Sequence, residues 1–392
     1  MIKVERKLLY IIAGIFCAFM LCKMPVLAKE PGEAMAEDSM IQEYVELWTD
    51  SLELNHIDAK MKELFPEFEI NTGETFRLIV EGRVTEALKN LGDGITGYIR
   101  GELMNIRQVF LTVLILGVVS ALFSGFSDLF AGQQISQAGF YFLYLFLMVL
   151  TTGIFSSVSE IALGAVENIV LFIKMFIPTY FVVVGTAQGP TTAVFYYELM
   201  LIVAYLVESF LSTVLIPLIC SYVLLALLNG IWVEEKLSLL LDFIRKGIVM
   251  VLKLSLGAVT GLSLVQAVIV PVLDRLKISA VRKAVSAIPG IGGIAEGVTE
   301  LVLGAAVLIK NSMGVLLLVL LLGICLAPVI QILIVTMTMK LGAAITGIVS
   351  DKRISGCVDR VGEGCFLLLR CVLTAVALFL IVIAVVAYAV SS

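Results

Sequence analysis

From about residue 106 onward the chain is a succession of apolar runs separated by short polar or glycine-rich stretches. Val109–Phe123 and Phe140–Ser156 come first, joined by Gly125–Gly139, and Ile169–Val184 comes next, carrying Lys174 and Pro178. Glu198–Trp232 and Gly314–Val349 are each too long for one crossing, and Pro217 and Pro328 are expected to break them. Ile248–Val270 and Phe366–Val390 read as single spans, whereas Gly297–Ile309 is short enough to lie in the interface or re-enter. A membrane-spanning helix needs ~20 apolar residues, so the pattern predicts an all-α polytopic membrane protein with about six to nine crossings.

The first 105 residues have a different pattern. Lys3, Arg6 and Lys7 precede the short apolar run Leu8–Cys22, then Pro25 and the small residues Val26 and Ala28. That order describes a signal peptide over residues 1–28, which delivers the chain from Lys29 onward to the far side of the membrane. Residues 29–105 form an acidic extracytoplasmic helical domain. Within it, Ile41, Tyr44, Val45, Trp48 and Leu52 mark one amphipathic helix. Phe76, Ile79, Val80, Val84, Ala87, Leu88 and Leu91 mark a second. Two such stripes make a small core, so the helices are expected to bury against a partner or against the membrane domain, with Trp48 the candidate partner-docking anchor.

Composition sharpens this division. The 392 residues are 60% hydrophobic and 15% charged, with a mean hydropathy of +1.06. A soluble domain cannot hide that much apolar surface. The net charge of −5 is unevenly spread: seven basic and 17 acidic residues fall within 29–105, a net of −10 in that stretch. Such a surface repels nucleic acid. His56 is the single histidine, which excludes histidine-rich metal sites, and the absence of a G-x-x-x-x-G-K-[ST] loop argues against a built-in nucleotide hydrolase. None of the seven cysteines lies in the acidic domain, which removes a disulfide framework and leaves them as small apolar membrane residues.

Basic residues orient the membrane domain, 106–392. Arg275, Lys277, Arg282 and Lys283 in the expected loop Asp274–Lys283, and Lys340, Lys352, Arg353 and Arg360 further on, place both regions in the cytoplasm by the positive-inside rule. An internal repeat is also legible. Pro178 and Pro289, and Pro217 and Pro328, are each separated by 111 residues, and Glu234–Ser238 matches Asp351–Ser355 at an offset of 117. Residues 169–272 and 280–390 are therefore expected to be tandem repeats with proline-broken helices, hinged at Pro178, Pro217, Pro289 and Pro328.

Lys174, Glu198, Glu208 and Lys253 fall in or beside apolar runs. Charges at bilayer depth face a protein interior or a water path, so these four are candidate pathway-lining residues, with intramembrane ion pairing the alternative. The glycine-rich Pro289–Gly297 lacks a preceding strand and reads as a hinge, not a phosphate loop. No nucleophile has a base in recognisable spacing, so no enzyme activity, metal or cofactor is expected.

Three stretches carry a family resemblance: Ala287–Gly293, Val302–Gly314 and Ile324–Pro328. Together with the leader, the acidic domain and Phe176–Pro190, they resemble the stage III sporulation protein AE family over essentially the whole chain. The resemblance implies a multipass protein of the mother-cell membrane surrounding the forespore, within a channel complex linking the two compartments. It implies as partners the other stage III sporulation A-operon proteins and stage II sporulation protein Q. The family contributes no catalytic residues. From the residues alone, a self-sufficient secondary transporter for a small solute and a non-conducting scaffold remain as alternatives.

Overall fold

The computed structural model describes residues 71–90, 133–188, 211–232, 236–285, 292–349 and 352–389, with isolated helical positions among 111–119 and 202–210. Over 262–285 and 292–311 the description is of backbone alone. Every regular element among the described residues is helical.

Helix α1, Thr72–Val80, begins where Asn71 accepts a hydrogen bond from the Glu74 N–H at 3.0 Å through its side chain, satisfying one of the donors that a helix start leaves open. It ends at Gly82, whose φ of 77° lets the Arg83 N–H reach the Leu78 carbonyl and the Gly82 N–H reach that of Ile79, a paired closure that only a left-handed residue permits. Helix resumes at residue 84. The apolar stripe expected to form one helix from Phe76 to Leu91 is thus split after Val80, because the turn at Glu81-Gly82 interrupts the helix. Phe76 and Ile79 are buried and α1 packs against the long helix Gly292–Val349, so this part of the acidic stretch buries its stripe on the apolar bundle. Trp48 lies outside the described residues.

Four long helices make up most of the rest. These are α2, Gln133–Gln188 (56 residues); α4, Ser238–Val285 (48); α5, Gly292–Val349 (58); and α6, Lys352–Ala389 (38). Between α2 and α4 comes a π-helical turn, Leu211–Leu215, which runs directly into α3, Ile216–Asn229. At 1.5 Å per residue, α2 and α5 are each about 85 Å long, far more than the ~30 Å hydrocarbon thickness of a bilayer. Four stretches are long and apolar enough to cross a membrane: Gly139–Phe176, Leu211–Asn229, Ser312–Ile348 and Lys352–Ile381.

These lengths correct several expectations. Phe140–Ser156 and Ile169–Val184 belong to one helix, α2, and Gly297–Ile309 is the start of α5. The stretch Asp274–Lys283 is helical within α4, not a loop: it contains no Gly or Pro, and its charges sit on a helix that outlasts the apolar run. The proline breaks also fail. Pro178 and Pro328 lie inside continuous helices. Each costs one ladder hydrogen bond, to the carbonyl four residues earlier, yet the flanking turns persist because an apolar surround offers the backbone no alternative partner. At Pro217 the helix widens instead of stopping. The π turn immediately before it makes room for the ring, and the chain continues as α3. Pro289 lies outside the described residues.

Helix α6 is the hub, packed against α2, α3, α4 and α5. Of its most apolar stretch 83% is buried, against 33% for α2. Leu367, Leu368, Cys371, Val372, Ala375 and Phe379 are its buried face. A glycine allows this close approach. A Cβ on Gly364 would overlap Val223 of α3 and approach Phe155 of α2 to 3.0 Å, so α6 meets both neighbours at backbone distance, as small residues permit between membrane helices. Cys325, Cys357, Cys365 and Cys371 are buried free thiols, and buried Thr151, Thr336 and Thr346 donate to carbonyls of their own helices.

A charged node and a polar helix face

The short connection after α5 makes α5 and α6 an antiparallel hairpin and sets Lys340 beside the first turns of α6. There Glu363, whose side chain is only 14% exposed, is ion-paired through one oxygen to Arg245 of α4. Its other oxygen faces Lys340 Nζ of α5 at 3.3 Å. Lys340 also donates to Asp359 Oδ1 at 2.7 Å. The aliphatic stem of Lys340 lies over Gly362, where a Cβ would stand 3.4 Å from three of its carbons. One carboxylate thus ties three helices together. Burying it is tolerable only because both its oxygens meet cations.

A turn earlier, Arg360 projects to the C-terminal end of α3. A Cβ on Gly230 would overlap both the Arg360 guanidinium and the Tyr144 hydroxyl, and that hydroxyl donates to the Leu227 carbonyl at 2.7 Å. Helix C-termini carry unsatisfied carbonyls and partial negative charge, so a hydroxyl and a guanidinium are the groups such an end attracts. Asn229 Oδ1 accepts from the Leu237 N–H at 2.9 Å across the turn into α4, and Arg353 lies 3.7 Å over the Phe140 ring. Chemically this is a clamp: it fixes the ends of α3, α4, α5 and α6 against α2. Outside the apolar spans, Lys246 beside Asp242 holds that carboxyl below its ordinary range.

Of the candidate pathway residues, Lys174 is exposed on α2 and Lys253 is exposed on α4. The structure does not bring them together in the node. Glu198 and Glu208 lie outside the described residues. Two carboxylates were not singled out from the sequence: Glu160 and Glu167, exposed on α2 one heptad apart and with Lys174 one heptad further on. Their spacing is visible in the sequence, but it becomes one face only if residues 157–168 are helix and not a link between two spans. A charged side chain at the bilayer centre costs at least ~2.5–3.5 kcal/mol on insertion scales. The node was likewise missed, because Arg245 and Glu363 are distant in sequence.

A family model described as stage III sporulation protein AE matches residues 70–390. The chain belongs to the stage III sporulation protein AE family. The matched range holds all six helices, the node and the α2 face. A relative in Bacillus subtilis (strain 168), named stage III sporulation protein AE, is 21% identical over 267 residues, covering 68% of this chain and 67% of its own length. No solved structure matches. Family membership therefore assigns this bundle to stage III of sporulation, and the four stretches long and apolar enough to cross a membrane, in α2, in the π turn with α3, in α5 and in α6, make it a multipass membrane protein.

Proposed function

We propose that this protein is a membrane component of the channel complex that links mother cell and forespore, residing in the mother-cell membrane around the forespore and required for endospore formation. The observation that carries this reading is that a family named for stage III of sporulation matches the whole membrane bundle, four of whose helices are long and apolar enough to cross a bilayer. The α2 helix leaves most of its apolar stretch uncovered while α6 is almost fully enclosed, as suits a subunit with a rigid hub and outward faces. The basic residues around the node orient that end toward the cytoplasm; the basic stretch 274–283, expected on the same side, lies about 45–55 Å further along α4 than Arg245. The proposed partners are the other stage III sporulation A-operon proteins and, across the intermembrane space, stage II sporulation protein Q.

A self-sufficient transporter draws its support from a repeat with proline-broken helices and from charges in apolar runs, and of these the breaks are absent at Pro178 and Pro328, through which α2 and α5 run unbroken. Membership of a complex is therefore the stronger reading. The test is affinity purification of the tagged full-length chain from sporulating cells. Co-purification of the named partners, with loss of heat-resistant spores on deletion, is the expected result. A chain that purifies alone, from cells that sporulate normally without it, overturns the proposal.

A further inference from the structure

Helix α2 has two faces between residues 153 and 180. Phe155, Val158, Ala162, Val166, Ile169, Ile173, Phe176 and Tyr180 are buried. Opposite them, Gly153, Ser157, Glu160, Glu167 and Lys174 are exposed and Gly164 is half-exposed, at successive spacings of four, three, four, three and seven along one helix face, with exposed Leu171 between the last two.

The depth of this face is set by α3. Leu211–Asn229 is a 19-residue span, about 28 Å long, one hydrocarbon thickness. Helix α2 runs antiparallel to it. Tyr144 bonds the Leu227 carbonyl, Phe155 and Val223 meet over Gly364, and Ser159 Oγ lies 3.3 Å from Cys220 Sγ. Cys220 is the middle residue of that span, so a bilayer centred on the span has Glu160 at its midplane. Glu167 is about 10 Å further along and Lys174 about 21 Å, which puts Lys174 beyond the hydrocarbon edge. At the level of the two glutamates the π turn and α3 expose Val214 and Leu218, as a lipid-facing surface does.

Lipid cannot cover the glutamate face cheaply. Nor can a dry contact with a second copy, because copies arranged around an axis normal to the membrane place Glu160 at the height of Glu160, and like charges stripped of water repel. We infer that this face of α2 lines a water-filled lumen completed by other copies of the chain, with levels of glutamate that favour small hydrated cations. Gly153, Ser157 and Gly164 keep that wall narrow. The inference rests on the membrane-complex reading for the chain's crossing of the bilayer, but its test does not use the partners.

Single cysteines replace Ser157, Gly164, Val214 and Leu218 in the full-length chain, in native membranes, with the unaltered chain as background. A small cationic water-soluble methanethiosulfonate is compared with its anionic counterpart. Residues 157 and 164 should react at least tenfold faster than 214 and 218, and faster with the cationic reagent. Glu167→Gln should shrink that preference, and the native mass should show several copies. Ser157→Cys, a near-isosteric change, keeps the test decisive if the glycine variant fails to insert. Equal rates at all four positions, reaction only with lipid-soluble N-ethylmaleimide, no reaction with either reagent, or a complex holding one copy each overturn the proposal. Failure to co-purify sporulation proteins would overturn the assignment to the channel complex and leave this labelling pattern intact.

Discussion

Replacing Gly364 with alanine adds one methyl group where α2, α3 and α6 meet. That methyl would overlap Val223 Cγ2 and approach Phe155 Cε2 to 3.0 Å, and Val223 and Phe155 are both buried. Neither obstacle is the end of a long flexible chain, so α6 must move away from α3 or Val223 must leave its rotamer. Overpacking of this kind costs about 1–3 kcal/mol, which for a chain of this size lowers the melting temperature by about 1–5 °C. Thermal unfolding of the full-length protein in detergent reads the effect. Val223→Ala alone also destabilises, by about 1–3 kcal/mol, through lost contacts. The double variant places the new methyl into the space vacated, so its penalty falls short of the sum by ~1 kcal/mol or more. Gly257→Ala, on α4 with nothing within 4 Å of its Cβ position, is the control and should be neutral or slightly stabilising, since alanine is the better helix former. A Gly364→Ala protein that melts with the wild type, or penalties that add, would refute the close three-helix contact.

The ion pairs give two further expected outcomes. Glu363→Ala leaves Arg245 and Lys340 without their shared carboxylate, which is 14% exposed, and should cost about 3 kcal/mol; Asp359→Ala, at a position 55% exposed, should cost under ~1 kcal/mol in the same melting assay. Near α1, the hydrogen bond from Arg77 holds the Glu81 carboxyl below its ordinary value of 4.5. Its contribution is complete above that value and is lost as pH falls through the lower folded one, so the protection of residues 72–80, measured as hydrogen exchange relative to the intrinsic rate at each pH, should fall on acidification and lose that acid sensitivity in Arg77→Leu.

The apolar periodicity is enough to read the helical class, the membrane-spanning character and the buried Phe76 and Ile79, though not the bounds of the spans. What it obscured has physical causes. Prolines were read as breaks, but within an apolar bundle the turns around Pro178 and Pro328 have no competing hydrogen-bond partners, and before Pro217 one wide turn absorbs the ring. The charges at Asp274–Lys283 were read as a loop because polarity ends a span, although it does not end a helix. Gly82 hid inside a stripe whose spacing continues across it, because periodicity is blind to the sign of φ. Pairings such as Arg245 with Glu363, or Tyr144 with Leu227, depend on how helices stack, which no local pattern encodes.

The placement of Glu160 depends on Leu211–Asn229 crossing the bilayer, and one measurement tests that directly. In a full-length chain with Trp48 and Trp232 changed to phenylalanine, Leu218→Trp puts a single fluorophore at an exposed position near the middle of the span. Reconstituted into vesicles, it should be quenched most strongly by lipids brominated near the chain ends and little by aqueous acrylamide, as a residue at the midplane must be. Stronger quenching by acrylamide, or by lipids brominated near the headgroup, would contradict it and remove Glu160 from the centre of the membrane.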